Sequence, residues 1–260
     1  MLISTLEPIV ELKKASKRFN TGTVALDDIS LSIHSGEFVT LLGPSGCGKS
    51  TVLRLIAGLD DLTNGSIQAP ALSTTQHSTA FVFQEATLMP WASIFDNVWL
   101  PLRLQGHSKQ ATQSRVLTAL QNVGLEDFAQ AHPAQLSGGM KMRASIARAL
   151  ITEPHVLLMD EPFAALDDFT RQRLNDDLLR WQRERAVATL FVTHNIAEAV
   201  FLSQRILVMQ ARPGKIIYEL LIDQPYPRSS EFRSSMRFLE HCRELTGALE
   251  RALVAGVTSS

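Results

Sequence analysis

Short runs of apolar residues, each bounded by turn residues, form the most regular pattern along the chain. They occupy positions 38–42, 79–83, 156–159 and 190–193. None of them alternates between apolar and polar residues, which is typical of strands covered on both faces in a parallel sheet. Two more apolar runs, at 206–209 and 215–218, flank the turn residues Arg212, Pro213 and Gly214 and predict a hairpin at the sheet edge.

The segments before position 38 show a different pattern. Segments 9–12, 24–26 and 29–33 are short, and the last one alternates strictly between apolar and polar residues. Such alternation predicts antiparallel strands with one solvated face. We therefore expect a small antiparallel sheet at the start of the chain, and turns over 60–71.

Helical spacing is typical of positions 86–150. Val116, Leu120 and Val123 fall on one face of a helix, and Pro and Gly residues mark the loops. The stretch 88–95 is unusually apolar for a loop, so it is either core or a docking surface for another protein. This region predicts a helical insertion in an α/β domain.

The second half of the chain predicts two more helices. Leu174, Leu178 and Trp181 give one of them an apolar face. That face leaves four arginines in solvent: Arg171, Arg173, Arg180 and Arg183. Beyond Asp223 the chain is too short for an independent domain, so a terminal helix packed on the core is expected. The domain prediction is an α/β unit over 1–222, with its insertion at about 86–150, and a helical tail over 223–260.

Composition narrows the classes of partner and compartment. The 260 residues include 25 basic and 26 acidic side chains, for a net charge of −1, which does not favour a nucleic-acid partner. Cys47 and Cys242 are too few and too far apart for a disulfide framework and predict free thiols in a reducing compartment. The start of the chain shows no leader pattern and no run of eighteen apolar residues occurs, so we expect a cytosolic chain that does not itself cross a membrane.

The segment after the strand at 38–42 fits the phosphate-binding pattern G-x-x-x-x-G-K-[ST]. A helix at 52–57, ended by Gly58, follows it. The backbone N–H groups of such a loop and the helix N-terminus attract an anion. Lys49 would lie along the β- and γ-phosphates, and the Ser50 hydroxyl would bind Mg²⁺. The candidate nucleotide-binding residues of this loop are Gly43, Pro44, Ser45, Gly46, Cys47, Gly48, Lys49, Ser50 and Thr51.

Four polar residues directly follow other predicted strands: Gln84, Asp160, Glu161 and His194. Ligands of open parallel sheets bind beyond the carboxyl ends of the strands, so these side chains are expected to converge with the phosphate loop. Asp160 can hold Mg²⁺ through a water, and Glu161 can face the water that attacks the γ-phosphate. Gln84 could equally be a polar strand end and His194 a loop histidine. Phe19 is either a core aromatic or a ring that stacks on adenine.

A second anion-binding helix start occurs at Ser137, Gly138 and Gly139, where a helix running to Leu150 begins. One nucleotide needs only one such cradle. The second cradle suggests a nucleotide held between two copies of the chain, each giving its phosphate loop to one site and its Ser-Gly-Gly to the other.

With these motifs the sequence closely resembles the ATP-binding subunits of ABC transporters. The resemblance covers nearly the whole chain and rests on six motifs in the family's order. They are Walker A (43–51), the Q-loop (Gln84), the signature (136–140), Walker B (156–160) with Glu161, the D-loop (164–167) and the H-loop (His194). The implied fold is a P-loop NTPase core with a mostly parallel sheet, an N-terminal antiparallel β subdomain and a helical insertion, the ABC ATPase architecture.

The resemblance implies a head-to-tail dimer of two copies that closes on two Mg²⁺·ATP. In it Glu161 polarises the attacking water, His194 contacts the γ-phosphate, and Lys49 completes the catalytic set. Ser137 and Gly139 contact the γ-phosphate from the opposite subunit, and Phe19 takes the adenine-stacking position.

Ser50, Gln84 and Asp160 are the implied Mg²⁺ ligands. Further implied partners are an integral-membrane permease and, indirectly, a solute-binding protein, which place the chain peripherally on the cytoplasmic side of the inner membrane.

One departure from the commonest family pattern suggests a branch. The signature ends in Met140 instead of Gln, and together with the segments around Trp91 and Asn97 it resembles importers of nitrate, aliphatic sulfonates, taurine and related solutes. Near Lys49 and a helix N-terminus, the thiolate of Cys47 is expected to be favoured, so that alkylation would block ATP hydrolysis.

The alternatives to a transporter subunit are a soluble ABC-type ATPase that acts as a mechanical clamp, and a P-loop kinase or GTPase. Neither a kinase nor a GTPase accounts for the Ser-Gly-Gly cradle or His194.

Overall fold

The computed structural model describes residues 7–72 and 79–257, without the side chains of 255–257. Three segments lie outside the described residues: 1–6, 73–78 and 258–260. The first belongs to the start of the chain, where the sequence shows no leader pattern, and the last belongs to the predicted helical tail. Within the described ranges, no helix is both long enough and apolar enough to cross a membrane.

A three-stranded antiparallel sheet stands at the start of the chain, as predicted. Its strands are β1 (Val10–Arg18), β2 (Val24–Ile33) and β4 (Asn64–Gln68), in the order β2-β1-β4. The two predicted strands at 24–26 and 29–33 form one strand, interrupted only by a positive φ of 55° at Asp28. The turn prediction over 60–71 was wrong for β4, because that strand contains a single apolar side chain, Ile67, and is held by backbone pairing with β1.

The central sheet has six strands in the order β5-β6-β7-β3-β8-β9. The first five run parallel and β9 is antiparallel at the edge, which confirms the predicted mostly parallel α/β fold and the edge hairpin. The strands are β3 (Phe38–Leu42), β5 (Thr79–Val82), β6 (Val156–Asp160), β7 (Ala188–Thr193), β8 (Arg205–Gln210) and β9 (Lys215–Leu221).

Helices cover both faces of this sheet. They are α1 (Lys49–Ile56), α2 (Ile94–Leu104), α3 (Lys109–Asn122), α4 (Gly138–Leu150), α5 (Asp168–Arg185), α6 (Ile196–Leu202), α7 (Ser230–Arg233) and α8 (Met236–Val257). Alternate residues of β3 belong to two different hydrophobic clusters, one on each face of the sheet. Phe38 and Leu42 join the cluster of α2 to α6 and α8, whereas Val39 and Leu41 join that of α1 and the antiparallel sheet. The loops at the carboxyl ends of the parallel strands therefore share one edge, between the two clusters.

The helical insertion consists of α2, α3 and α4. Val116, Leu120 and Val123 are buried in it, as their spacing predicted. The apolar stretch 88–95 divides into two parts, since Ile94 and Phe95 are core residues while the side chain of Trp91 is 77% exposed. The core interpretation is therefore confirmed for Ile94 and Phe95, and a docking surface at Trp91 stays a prediction.

The end of the chain packs on the core through α8. Phe238 and Leu245 are buried, whereas Leu239 is 44% exposed. Three of the four arginines expected in solvent on α5 are exposed: Arg173, Arg180 and Arg183. Arg171 is not, because its guanidinium folds back onto the loop before α5 and onto α6.

Candidate functional site

The phosphate-binding pattern forms a tight loop between β3 and α1. Gly48 precedes the first residue of α1 with φ +97°. A Cβ at Gly48 would lie 2.5 Å from Leu26 Cδ2, so both the backbone angle and the space require glycine. Gly46 also has a positive φ, of 76°. The loop thus has the curled backbone at a helix N-terminus that suits a phosphate group.

Lys49 is buried at the base of this loop. Its Nζ donates to the carbonyl oxygens of Gly43 at 2.8 Å and Pro44 at 3.0 Å, and lies 3.6 Å from Glu161 Oε1. The side chain is 4% exposed. A buried ammonium is tolerated only when it is paired and hydrogen-bonded, and these oxygens supply both conditions. A positive charge is therefore fixed beside the loop.

Ser50 and Asp160 bring two oxygens together at the start of α1. Ser50 Oγ donates to Asp160 Oδ1 at 2.9 Å. Burial raises the pKa of the Asp160 carboxyl, and the bond from Ser50 opposes that shift. A hydroxyl next to a carboxylate is a donor set that Mg²⁺ accepts, since this ion takes one or two protein oxygens together with phosphates and water. No cluster of three or more His, Cys, Asp or Glu that could hold a metal ion by itself occurs in 7–72 and 79–257.

Glu161 and His194 meet at the ends of β6 and β7. Asp160 pairs with Val192 in the register of these strands, and the backbone N–H of Glu161 donates to Val192 O at 3.0 Å. Glu161 Oε2 lies 2.9 Å from His194 Nδ1. Glu161 also has φ +46°, an angle unusual for a residue with a Cβ and often found at functional sites. The structure therefore brings five of the candidate residues into one group: Lys49, Ser50, Asp160, Glu161 and His194.

Gln84 and Phe19 lie at the ends of their strands with exposed side chains. Gln84 is two residues beyond β5, and the pairing of Val82 with Met159 sets it beside the end of β6. Phe19 follows β1, is 39% exposed and has Lys17 Nζ 5.5 Å from its ring centre. Phe19 is therefore not a core aromatic. Its stacking role and the metal role of Gln84 stay predictions.

Ser137, Gly138 and Gly139 form the N-terminus of α4, as predicted. Ser137 is its N-cap and accepts a bond from the Met140 N–H at 3.3 Å. A Cβ at Gly139 would lie 2.6 Å from Thr170 Cγ2, so this residue must be small. An added Cβ would meet Leu166 at position 138 and Thr170 at position 139, so the start of α4 packs against the end of the D-loop and the first turn of α5.

The expectation of a reactive Cys47 thiolate was wrong. The residue is 1% exposed, and burial raises the pKa of its thiol. Lys49 lowers that pKa, yet its Nζ is 3.9 Å from Sγ and its charge is already engaged with carbonyls and Glu161. Loss of hydration outweighs the attraction of the neighbouring charge.

Several polar residues that the sequence patterns did not predict brace this site. Glu198 is buried on α6 and accepts a bond from Thr193, directly before His194. Arg148 on α4 donates to Ala86 O and Thr87 O, just after Gln84. Asn195 and Glu198 have the N-cap and N3 spacing of a capping pattern, which is the one local signal that could have drawn attention to Glu198.

The chain is similar to known ATP-binding proteins of one family. Residues 26–164 match the family described as ABC transporter. The chain is 45% identical over 224 residues to the aliphatic sulfonates import ATP-binding protein SsuB 1 of Pseudomonas syringae pv. syringae, which covers 85% of this chain and 89% of that protein.

Two solved structures are also similar. One is a dimeric ATP-binding cassette in a post-hydrolysis state bound to ADP and Pi, with a TM-score of 0.73 and 33% identity over 83% of this chain and 100% of that chain. The other is cbiO1 from Clostridium perfringens, part of the ABC transporter complex cbiONQ, with a TM-score of 0.77 and 25% identity over 92% of this chain and 100% of that chain.

Proposed function

The chain belongs to the ABC transporter family of ATP-binding, ATP-hydrolysing subunits, and we propose that it powers an importer of a small anion-like solute such as nitrate, a sulfonate or taurine. The observation that carries the proposal is the grouping of Lys49, the Ser50–Asp160 pair and the Glu161–His194 pair at one edge of the sheet. The solute class is supported by 45% identity to a protein named for aliphatic sulfonate import.

Each residue of the group has a role in this proposal. The loop from Gly43 to Thr51 wraps the phosphates of ATP, and Lys49 turns its ammonium towards the β- and γ-phosphates. Ser50 and Asp160, with Gln84, would hold Mg²⁺, and the ion would supply positive charge against the phosphates. Glu161 accepts a proton from the attacking water and orients it. His194 holds the Glu161 carboxylate through Nδ1 and contacts the γ-phosphate. Phe19 stacks on the adenine.

A second copy of the chain completes each site. Ser137 and Gly138 are exposed, so the helix N-terminus that they form is accessible to a second copy. In a head-to-tail dimer, Ser137, Gly138 and Gly139 of one copy contact the γ-phosphate held by the other. The dimeric state of a similar ATP-binding cassette supports this arrangement.

A permease is the second proposed partner. Trp91 is a large aromatic with 77% of its surface exposed, in a segment that follows the Gln84 loop. Closure of the dimer reaches the permease through this segment, and hydrolysis reopens it. The chain then lies peripherally on the cytoplasmic side of the inner membrane and serves a solute-binding protein only indirectly. The proposed ATPase unit is 1–222, with its insertion at about 86–150, and 223–260 is a helical tail.

Affinity purification from detergent-solubilised membranes tests the proposal. A tagged Glu161→Gln variant holds any closed complex together, and mass spectrometry identifies what is recovered with it. Recovery of an integral-membrane permease is expected, and that partner would narrow the solute. Recovery from the soluble fraction alone, with no membrane protein, would contradict the importer and favour an ABC-type clamp.

A further inference from the structure

Arg171 connects two segments that flank the candidate site. It lies in the first turn of α5, and its guanidinium folds back over the preceding loop. Nη2 donates to Leu166 O at 2.7 Å and Nε to Phe163 O at 3.4 Å. Leu166 belongs to the D-loop, whose neighbour across the chain is Gly138 of the signature. The guanidinium therefore helps to hold the D-loop backbone, together with the hydrogen bonds within the loop itself.

The same guanidinium faces a buried carboxylate. Glu198 Oε1 lies 3.4 Å from Arg171 Nε, and the Glu198 side chain is 5% exposed. This oxygen makes no hydrogen bond within the described residues, so Arg171 is its source of compensation. Burial raises the pKa of Glu198, and the bond from Thr193 and the charge of Arg171 oppose that shift. A buried carboxylate placed beside a cation in this way is paired and costly to disturb.

Glu198 in turn fixes the backbone around His194. Its Oε2 accepts a bond of 2.7 Å from Thr193 Oγ1, and that hydroxyl accepts one of 3.0 Å from the Asn195 N–H. Asn195 Oδ1 accepts a bond from the Glu198 N–H at 3.1 Å, which closes the loop of contacts. His194 thus lies between two residues that are both tied to Glu198. Its ring nitrogen reaches Glu161 at 2.9 Å.

We propose that Arg171 and Glu198 are a positioning pair for ATP hydrolysis. The pair sets the orientation of His194 against Glu161 and, through the same guanidinium, the position of the D-loop. Neither side chain touches the reacting atoms. Because the loop from Glu161 to Asp167 begins at the catalytic carboxylate and ends beside Arg171, a shift of the D-loop changes the approach of His194 to Glu161. The inference rests on the proposed roles of Glu161 and His194.

Steady-state ATPase kinetics of the full chain test the pair. Glu198→Gln keeps an acceptor for Thr193 but removes the charge that faces Arg171, and Arg171→Ala removes both the charge and the bonds to the D-loop. Each is expected to lower kcat roughly 10- to 100-fold with KM for ATP unchanged, because misplacement of a catalytic group affects the chemical step. Arg171→Lys keeps the charge and is expected to recover part of kcat.

Two controls separate positioning from a general effect on folding. Arg180→Ala removes an exposed arginine of the same helix, whose partner Asp177 remains bound to Arg143, and is expected to leave kcat unchanged. The double variant Arg171→Ala/Glu198→Gln is expected to be no slower than the slower single variant, since both break one linkage. All variants are compared well below their melting temperatures.

Unchanged kcat in Glu198→Gln, or multiplicative losses in the double variant, would overturn the inference. A rise of KM in step with the loss of kcat would also overturn it, because that indicates damage to ATP binding. Failure of the proposed roles of Glu161 and His194 is distinguishable, because it appears as normal hydrolysis in Glu161→Gln and His194→Ala. Loss of hydrolysis in those two variants with normal kcat in Glu198→Gln would refute the pair alone.

Discussion

His194 Nδ1 lies 2.9 Å from Glu161 Oε2, across the carboxyl ends of two adjacent parallel strands. The Glu161 carboxylate is also within 3.6 Å of Lys49 Nζ on its other oxygen. One carboxylate thus joins the phosphate loop to the H-loop, and the other contacts of the site are arranged around it.

Replacing Glu161 by Gln should abolish hydrolysis without loss of ATP binding. The amide has nearly the same shape but cannot accept a proton, and a general base contributes roughly 10²- to 10⁴-fold to a rate. We expect kcat to fall by that factor, the Kd for ATP to be retained, and a dimer to accumulate with ATP in size-exclusion chromatography. Glu184→Gln, at an exposed glutamate of α5, is the control. Normal turnover in Glu161→Gln would refute the base assignment.

Replacing Trp91 by Ala should separate ATP hydrolysis from transport. Because the ring is 77% exposed, its removal should change the free energy of unfolding by no more than about 0.5 kcal/mol. At a docking surface, loss of an aromatic anchor costs about 2 kcal/mol or more of binding. Solute uptake by proteoliposomes that contain the permease should therefore fall, with ATP binding intact. Leu253→Ala, at a residue 54% exposed on α8, should leave uptake unchanged. Loss of ATP binding in Trp91→Ala would contradict the docking role.

Cys47 should resist alkylation in the folded protein. Its side chain is 1% exposed and burial raises its thiol pKa, so reaction with iodoacetamide requires local opening. We expect labelling at pH 8 to be roughly 100-fold slower than in urea, measured by peptide mass spectrometry. Cys242 is an internal comparison, since burial raises the pKa of its thiol to about 11. Equal labelling rates in the folded and unfolded chain would show that the loop opens freely.

Alanine at Gly139 should destabilise the chain, whereas alanine at Gly138 should not. The added Cβ would lie 2.6 Å from Thr170 Cγ2 at position 139, but 3.5 Å from Leu166 Cδ2 at position 138. Overpacking of this kind costs about 1–3 kcal/mol in the free energy of unfolding, measured by urea denaturation.

The second-site change Thr170→Ser removes the clashing methyl and keeps the hydroxyl. It should restore the stability of Gly139→Ala. Equal stability of the two alanine variants would mean that α5 shifts freely away from the signature.

The protein should lose stability at alkaline pH through Tyr226. Burial raises the pKa of its phenol to about 12, although Arg228 and Arg183 lower it. Between pH 10 and 12 the unfolded chain releases this proton while the folded chain keeps it, so the stabilisation is present below pH 10 and is lost as pH rises. The expected loss is at most about 3 kcal/mol.

Tyr226→Phe provides the comparison, because it lacks the titrating group. Its hydroxyl bond to Leu202 O is also lost, so the variant should be less stable at pH 8. The difference in unfolding free energy between the two proteins should then shrink between pH 10 and 12. A constant difference over that range would refute the shifted pKa.

The parallel strands, the phosphate loop and the start of the signature helix could all be predicted from the amino-acid sequence. These features depend on local patterns: unbroken apolar runs for β3, β6 and β7, and a Gly-Lys-Ser or Ser-Gly-Gly segment at a helix start. It also placed Asp160, Glu161 and His194 at one edge, because the carboxyl ends of parallel strands share that edge.

Other features depend on which distant segments pack together, and these became visible only in the folded structure. Strand β4 exists because the backbone of β1 pairs with it, not because its own side chains favour a strand. Cys47 carries a raised pKa because surrounding elements remove it from water, which no neighbour in sequence specifies. Arg171 lies between the D-loop and Glu198, although the helix pattern alone assigned it to solvent. Burial and charge pairing are set by the folded surroundings of a residue, and a pattern along the chain records only its local conformation.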